Sequence, residues 1–452
     1  MISRTSLAAT CLWVASSCSA PADAPQQATA PDTVASWITD GAIYEVFVRD
    51  FSATGDFDGV TLGLDRIEGA GANIVWLMPI HPVGVANRKG SLGSSYSISD
   101  YRSVNPDYGT EADFRELVDA VHARGMKLIL DWVPNHTAWD HVWVSENADF
   151  YSRDEQGEMT VPRDNEGGLT DWTDVADLDY GNTELRSAMI TEMRHWLDAY
   201  RIDGFRVDVA GMVPDDFWRE ALPELRAVNR PILLLAEWGE PKMHELGFDL
   251  TYGWDSYHRL KAVWEGEPAS MFGTAELEEL SSLPAGGARL RFTTNHDETA
   301  WDAPPVTLFG GAAGARAAFV AMALLPGTPL IYNGQEVESP QKLGLFEKEP
   351  VAWNQPDNVA ARAFYRRIVE LARTHDAFRA GDFQPVETGT PDDVIAYSRG
   401  EALVLVNVRD RALQSTVTGY DVEGARDLLT DEVMNGGAVS LPPYGAVVLE
   451  RD

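Results

Sequence analysis

Cysteine is nearly absent. Among 452 residues there are two, Cys11 and Cys18, both near the N-terminus. A domain folded from the rest of the chain has no disulfide to make, so a disulfide-stapled scaffold is excluded. Basic charge is scarce as well. The 36 Lys and Arg stand against 70 Asp and Glu, a formal net charge of −34. Such a surface repels nucleic acid and anionic lipid head groups, whereas a neutral ligand such as a sugar meets no barrier. The same acidity serves solubility or salty surroundings, so it says little about chemistry. After the N-terminus no run is apolar enough to span a bilayer. What remains is a long chain of ordinary hydrophobic content, 44%. It exceeds one ordinary core and suits a large barrel with a smaller domain attached.

Residues 1–20 read as an export signal. Arg4 supplies the positive end, Leu7 to Val14 a short apolar stretch, and Ala15 to Ala20 small residues. The apolar stretch is too short for a transmembrane helix. Ala15-Ser16-Ser17-Cys18 resembles a bacterial lipoprotein cleavage box, with Ala15 where Leu is usual. Cys18 would then bear a lipid, the one route by which this chain meets a membrane. Plain secretion with cleavage after Ala20 is the alternative, although Pro21 then follows the cut awkwardly. The location implied is the periplasm, an outer-membrane anchor, or the medium. Residues 21–36, rich in Ala, Pro and Gln, read as a flexible tether.

From about residue 40, short β-rich runs alternate with helical stretches. Strands are expected over 42–48, 72–78 and 126–131, with an amphipathic helix from Glu111 to Arg124 that Gly125 ends. Further apolar runs begin at Ile202, Ile232, Phe248, Leu290 and Pro329. Near-continuous hydrophobic runs between helices point to buried parallel strands, and eight of them to a (β/α)8 TIM barrel. The expected α/β fold places this barrel over 37–136 and 183–378. The polar, aromatic stretch 137–182 is an excursion after the third strand, and 379–452 reads as a C-terminal antiparallel β domain. Trp139, Trp143, Phe150, Tyr151 and Trp172 of the excursion either pack it onto the barrel or offer rings to a sugar.

Charged residues recur at the predicted strand ends. Strand three runs into Asp131-Trp132-Val133-Pro134-Asn135-His136, and strand four into Gly204-Phe205-Arg206-Val207-Asp208. Strand five ends in Ala236-Glu237-Trp238, and strand seven in Thr294-Asn295-His296-Asp297. In a TIM barrel the C-terminal strand ends share one cleft, so carboxylates from different strands would meet there. That arrangement suits glycoside cleavage. One ionised carboxylate attacks the anomeric carbon, and a second, kept protonated by crowding, hands its proton to the leaving oxygen. Arg206, two residues before Asp208 on a strand, points the same way and would hold it ionised. A third carboxylate, Asp297, can bind hydroxyls and steady a developing positive charge.

These four segments, in this order and spacing, resemble the signature regions of glycoside hydrolase family 13, the α-amylase family. Val175-Ala176-Asp177-Leu178-Asp179 resembles its fifth region. The resemblance implies a retaining hydrolase of α-glucosidic, chiefly α-1,4, bonds in maltooligosaccharides or starch-type glucans. An α-amylase, an α-glucosidase or a neopullulanase-like enzyme would fit, as would a glucanotransferase or isomerase of the same family. It implies Asp208 as nucleophile, Glu237 as acid/base and Asp297 as transition-state stabiliser. Arg206 would position the nucleophile, and His136 and His296 would bind sugar hydroxyls.

Two departures touch the substrate. Many members carry Lys-His three and four residues after the nucleophile, where this chain has Gly211 and Met212. Of a Tyr-His-Gly-Tyr stretch after strand two, Gly93-Ser94-Ser95-Tyr96 keeps the last tyrosine. Tyr96 would stack on the sugar or pack its loop. Tyr44 and His81 are further contact candidates, a core aromatic and a plain loop residue being the alternatives. Trp238, beside the acid, is placed to meet substrate. No cofactor is required. By resemblance, a structural Ca2+ would sit on Asn135, Asp177 and the carbonyl of Met212, all oxygen donors.

Overall fold

A computed structural model describes residues 35–451 apart from 229 and 357. The export segment with Cys11 and Cys18, and the tether up to residue 34, lie outside the described residues. The first helix begins at Ser36.

Eight parallel strands close into a barrel, each hydrogen-bonded to the strands before and after it in chain order. They are β1 (Ile43–Val46), β2 (Ile74–Leu77), β3 (Lys127–Trp132), β4 (Gly204–Val207), β5 (Leu233–Ala236), β6 (Leu250–Tyr252), β7 (Ala288–Arg291) and β8 (Thr328–Tyr332). Each falls on one of the apolar runs read from the sequence. The runs are continuous because side chains meet core on both faces, barrel interior on one and helices on the other. β1, β2, β4, β5, β6 and β8 are buried at every position. Apart from the half-buried Lys127, the polar exceptions on the strands, Glu45, Asp131, Arg206, Thr251, Arg289, Arg291 and Thr328, are themselves buried, so each must find a partner.

The helix α1 (Glu111–Ala123) shows how the outer ring is built. Thr110 and Asp113 form a reciprocal capping box, and the buried side chains Phe114, Leu117, Val118 and Val121 repeat at helical spacing. Gly125, at φ +73°, turns the chain into β3 in a conformation that costs a side-chain-bearing residue more.

The excursion is pinned by a two-stranded ribbon, His136–Ala138 against Val175–Asp177. Trp143, Phe150 and Tyr151 are buried in its packing, and the indole of Trp139 donates to the carbonyl of Thr173 at 3.0 Å. The C-terminal domain holds a five-stranded sheet whose centre is Val394–Arg399, Ala402–Asn407 and Ala446–Glu450, all antiparallel. Tyr397 and Arg399 lock it to the barrel by donating to the carbonyls of Ala321 (3.1 Å) and Leu324 (2.9 Å). Among the described residues no helix is long and apolar enough to cross a membrane.

Candidate active site

The strand ends converge on one buried cation. Arg206 of β4 is fully buried, and its Nη1 donates to Asp131 (2.9 Å) and Asp208 (3.0 Å). Its Nη2 lies 2.8 Å from Glu237 Oε1, although without hydrogen-bonding alignment, and its Nε donates to the hydroxyl of Tyr252 at 3.2 Å. Carboxylates from the ends of β3, β4 and β5 thus share one guanidinium. Trp76 and Tyr252 also present ring faces to it, at 5.2 and 5.7 Å.

The residue after the nucleophile candidate is strained. Val209 is β-branched yet sits at φ +36°, a conformation costing about 1–3 kcal/mol. In return its N–H donates to Glu237 Oε2 at 2.7 Å, tying the two acidic loops together.

A second charged knot lies around His296. Its ring stacks on Tyr96 at 5.3 Å, with Nε2 at 2.7 Å from the Tyr96 hydroxyl. Nδ1 bonds Glu45, and Asp297 stands 3.3 Å from Nε2. Tyr96 also donates to Asp131 at 2.9 Å, joining the two knots.

The electrostatics follow from burial and crowding. Burial and then the neighbouring Glu237 push Asp208 well above the usual carboxylate range, against the pull of Arg206. Burial also raises Glu237; Arg206 opposes this and Asp297 adds to it. Two carboxyl groups so placed titrate as a pair that keeps a proton unusually high in pH. Each carboxyl accepts one aligned bond, Asp208 from Arg206 and Glu237 from the Val209 N–H, so the proton belongs to the pair. Burial alone would lower His296, but Asp297 and Glu45 outweigh it and raise it to about 9. His136 has no such partners, and burial drops it to about 3. One histidine of the site is therefore cationic near neutral pH and the other neutral.

These groups line a cavity of about 330 Å³. It brings together Tyr96, His136, Asp208, Glu237, His296 and Asp297 of the residues singled out in the sequence. Sequence reasoning missed several others. Glu45 and Asp131 hold His296, Tyr96 and Arg206. The half-exposed Phe346 and the largely exposed Trp301 add aromatic wall beside Trp172, one of the excursion rings already weighed as a sugar contact, and Lys89 reaches in to pair with Asp174 at 3.0 Å. A charge in the apolar run of β1 was the available signal for Glu45, since a buried charge needs a partner.

Three residues do not face this cavity. Tyr44 is fully buried, with its hydroxyl on Glu336 at 2.8 Å, because successive strand residues point to opposite faces and Glu45 takes the inner one. His81 is buried among Tyr101, Trp132 and Trp196, its Nδ1 3.1 Å from the carbonyl of Ser103. Trp238 turns away from the catalytic cavity into a neighbouring one, its ring lying where a Cβ on Gly211 would stand, 2.1 Å from the nearest ring atom. Gly211 in place of the lysine found in many relatives is what lets the indole lie there.

Of the calcium candidates, Asn135 and Asp177 lie at one end of the ribbon that pins the excursion. Asn135 accepts from the N–H of Leu178 through its backbone, and Asp177 pairs across the ribbon with His136. Met212 ends the short turn Ala210–Met212 after Val209. Burial lifts the Asp177 carboxyl to about 6, and among the described residues no Lys, Arg or His nitrogen lies within 4.0 Å of it. Ser152 and Arg163 pull the other way, and the three candidate donors are all oxygen, the type that suits a calcium ion. Among the described residues no group of three or more His, Cys, Asp or Glu is gathered to hold a metal ion, here or elsewhere.

Carboxylates, a neutral and a charged histidine and a set of rings around one cleft at the C-terminal end of a barrel define a glycosidase-type centre. The chain belongs to the α-amylase family of glycoside hydrolases. The profile of the α-amylase catalytic domain matches residues 32–249. The crystal structure of an α-amylase from Lactobacillus plantarum, 31% identical, superposes with a TM-score of 0.81 over 92% of this chain and 100% of that one. The α-amylase MalA of Haloarcula japonica is 29% identical over 82% of this chain, which spans 55% of that protein's length. A 4-alpha-glucanotransferase of Thermotoga neapolitana is 26% identical over 72% of this chain and 78% of that one.

Proposed function

We propose that the protein is a retaining hydrolase of α-glucosidic, chiefly α-1,4, bonds in maltooligosaccharides or starch-type glucans. The observation that carries this reading is the single guanidinium of Arg206 touching both Asp208 and Glu237. It keeps the two carboxyl groups as near neighbours, as a double displacement at about 5–5.5 Å requires. Glu237 gives its proton to the glycosidic oxygen as the bond from C1 breaks, and an Asp208 oxygen bonds C1 from the opposite face. Glu237, now ionised, takes a proton from water, whose oxygen displaces Asp208 and releases a sugar of the original anomeric form. Asp297, His136 and His296 hold the ring hydroxyls. Cationic His296 and anionic Asp297 fix the orientation, and Asp297 steadies the positive charge on the ring. A sugar hydroxyl replacing water in the second half would give transglycosylation, a reading supported by the likeness to the Thermotoga glucanotransferase.

The test is a panel of α- and β-linked glucosides, maltoheptaose and starch, with early products read by proton NMR. Initial release of the α anomer from α-linked substrates is the expected result. Release of the β anomer, or cleavage of β-linked substrates alone, overturns the reading. Longer products from maltotriose would assign the transferase alternative.

The same reading includes a structural calcium ion held by Asn135, Asp177 and the Met212 carbonyl, which would neutralise Asp177 and tie the ribbon to the nucleophile loop. Chelator should lower the melting temperature and Ca2+ should restore it; no shift removes the ion. We further propose export, with lipid on Cys18. Labelled palmitate should enter the chain and fail to enter Cys18→Ala, and an unlabelled wild type points to plain secretion.

A further inference from the structure

We infer that the cavity beyond Trp238 is a second carbohydrate site, which binds another stretch of the glucan whose bond is cut next door; this rests on the substrate class proposed above. The cavity measures about 610 Å³, against about 330 Å³ for the catalytic one, and the two share no lining residue. Its barrel side is Trp238, Gly239, Tyr252 and Trp254. Its outer side is Arg259 of α2 (Trp254–Trp264) and Ala275 and Glu278 of α3 (Ser270–Ser282).

Three features make it a place for a sugar. The first is ring surface. Trp238 and Trp254 are half-buried, and Trp254 lies 5.2 Å from Tyr252 at an interplanar angle of 33°. The C–H face of a pyranose packs on such rings. The second is open space before them. A Cβ built on Gly239 would meet only the Tyr252 carbonyl at 3.8 Å and Trp254 Cδ1 at 3.9 Å. The buried Arg289 fixes this bare backbone by donating to the Gly239 carbonyl at 2.6 Å. The third is the polar lining. Arg259 lines the wall, and its buried Nη1 has no hydrogen-bond partner among the described residues, an unmet donor at the edge of the cavity. Glu278 and the carboxylates of Glu240, Asp255 and Glu279 outnumber Arg259 and Arg289. That excess rejects an anion, while the rings waste their area on a small cation. A neutral molecule with both donors and acceptors satisfies both signs. Trp238 follows Glu237 directly, so a chain held here stays beside the catalytic centre at high effective concentration.

The test uses the full chain carrying Asp208→Asn, which holds substrate without turnover, titrated calorimetrically with maltoheptaose. Two sites are expected, with one lost in Trp254→Ala and likewise in Ala275→Trp, which fills the cavity from α3. In the active enzyme either change should lower kcat/KM on soluble starch about fivefold, the scale of one lost stacking contact. A p-nitrophenyl maltoside should change less than about twofold. Ala275→Trp also serves should Trp254→Ala fail to fold, the melting temperature deciding which is read. A single site untouched by both changes, or starch and maltoside activity falling together, overturns the second site and leaves the proposed function standing. Absence of maltoheptaose binding altogether overturns both.

Discussion

Two clusters of buried charge sit in this molecule, and they are built on opposite principles. Behind β7, Arg291 pairs with Glu276 of α3 and donates to Ser256 at 2.7 Å, while Arg289 lies 2.8 Å from Glu279. Two guanidiniums meet two carboxylates, and barrel and helix are joined by a neutral set. Above the barrel, Arg206 and His296 face Glu45, Asp131, Asp208, Glu237 and Asp297. Two cations cannot balance five carboxylates. The surplus is relieved by protons: burial raises Glu45, Asp131, Asp208 and Glu237 alike, and neighbouring carboxylates add to it at Glu45, Asp208 and Glu237. Burial of charge is common to both clusters; imbalance marks the one that does chemistry.

The sharpest way to break this contrast is to remove one carboxylate from each cluster. Asp208→Asn should cost turnover on the order of 10⁴- to 10⁶-fold, the scale of losing a covalent nucleophile. It also relieves crowding, so the melting temperature should hold or rise. Glu276→Leu should do the reverse. It leaves Arg291 buried without its partner and should cost about 3–5 kcal/mol of stability, with activity per folded molecule kept. Denaturant titration beside kcat/KM for both variants decides it. If Asp208→Asn unfolds the protein or Glu276→Leu silences it, imbalance is not the distinguishing property.

A smaller effect should appear with pH. His296 is raised to about 9 in the folded protein, above its ordinary 6.5. The stability it contributes is whole below about pH 6.5 and is lost as pH climbs through 9. The raised carboxylates work in the same direction, since the folded state holds more protons than the unfolded one from the ordinary carboxylate range upward. The melting temperature should therefore fall from pH 6.5 to 9. Glu45→Gln removes one of the two carboxylates that raise His296, so the ring's NMR titration should move to lower pH. A ring titrating at 6.5 in both proteins would refute the charged assignment.

How much of this was legible depended on the physical signal. The barrel strands announced themselves because two-sided burial writes a continuous apolar run, as at 74–77 and 233–236. Asp208, Glu237 and Asp297 stood out together, because four such segments follow one another in the order of the family's signature regions, whereas a single carboxylate closing a run is more often structural or solvated. The face of each residue in a run was not legible. Where both faces are buried no alternation shows, so Tyr44 and Glu45 could not be sorted. Trp238 next to the acid looked bound for substrate, but its direction depends on the missing side chain of Gly211, on another strand end. Trp172, Trp301 and Phe346 come from loops far apart in the chain, and only the closed fold makes them one wall.

The mildest test concerns that missorted pair. If Glu45 faces the site and Tyr44 the helices, then Tyr44→Phe deletes a hydroxyl from the buried carboxyl of Glu336 and touches no substrate. Glu336 would lose the one side-chain bond that helps hold it ionised, against a burial that already raises its pKa. A cost of about 1–2 kcal/mol in unfolding is expected, with KM and kcat on maltooligosaccharides unchanged. Glu45→Gln, one residue on, should reverse the pattern by altering the acid and base limbs of the rate profile. A Tyr44→Phe variant that raises KM and keeps its stability would place the phenol in the cleft and turn β1 over.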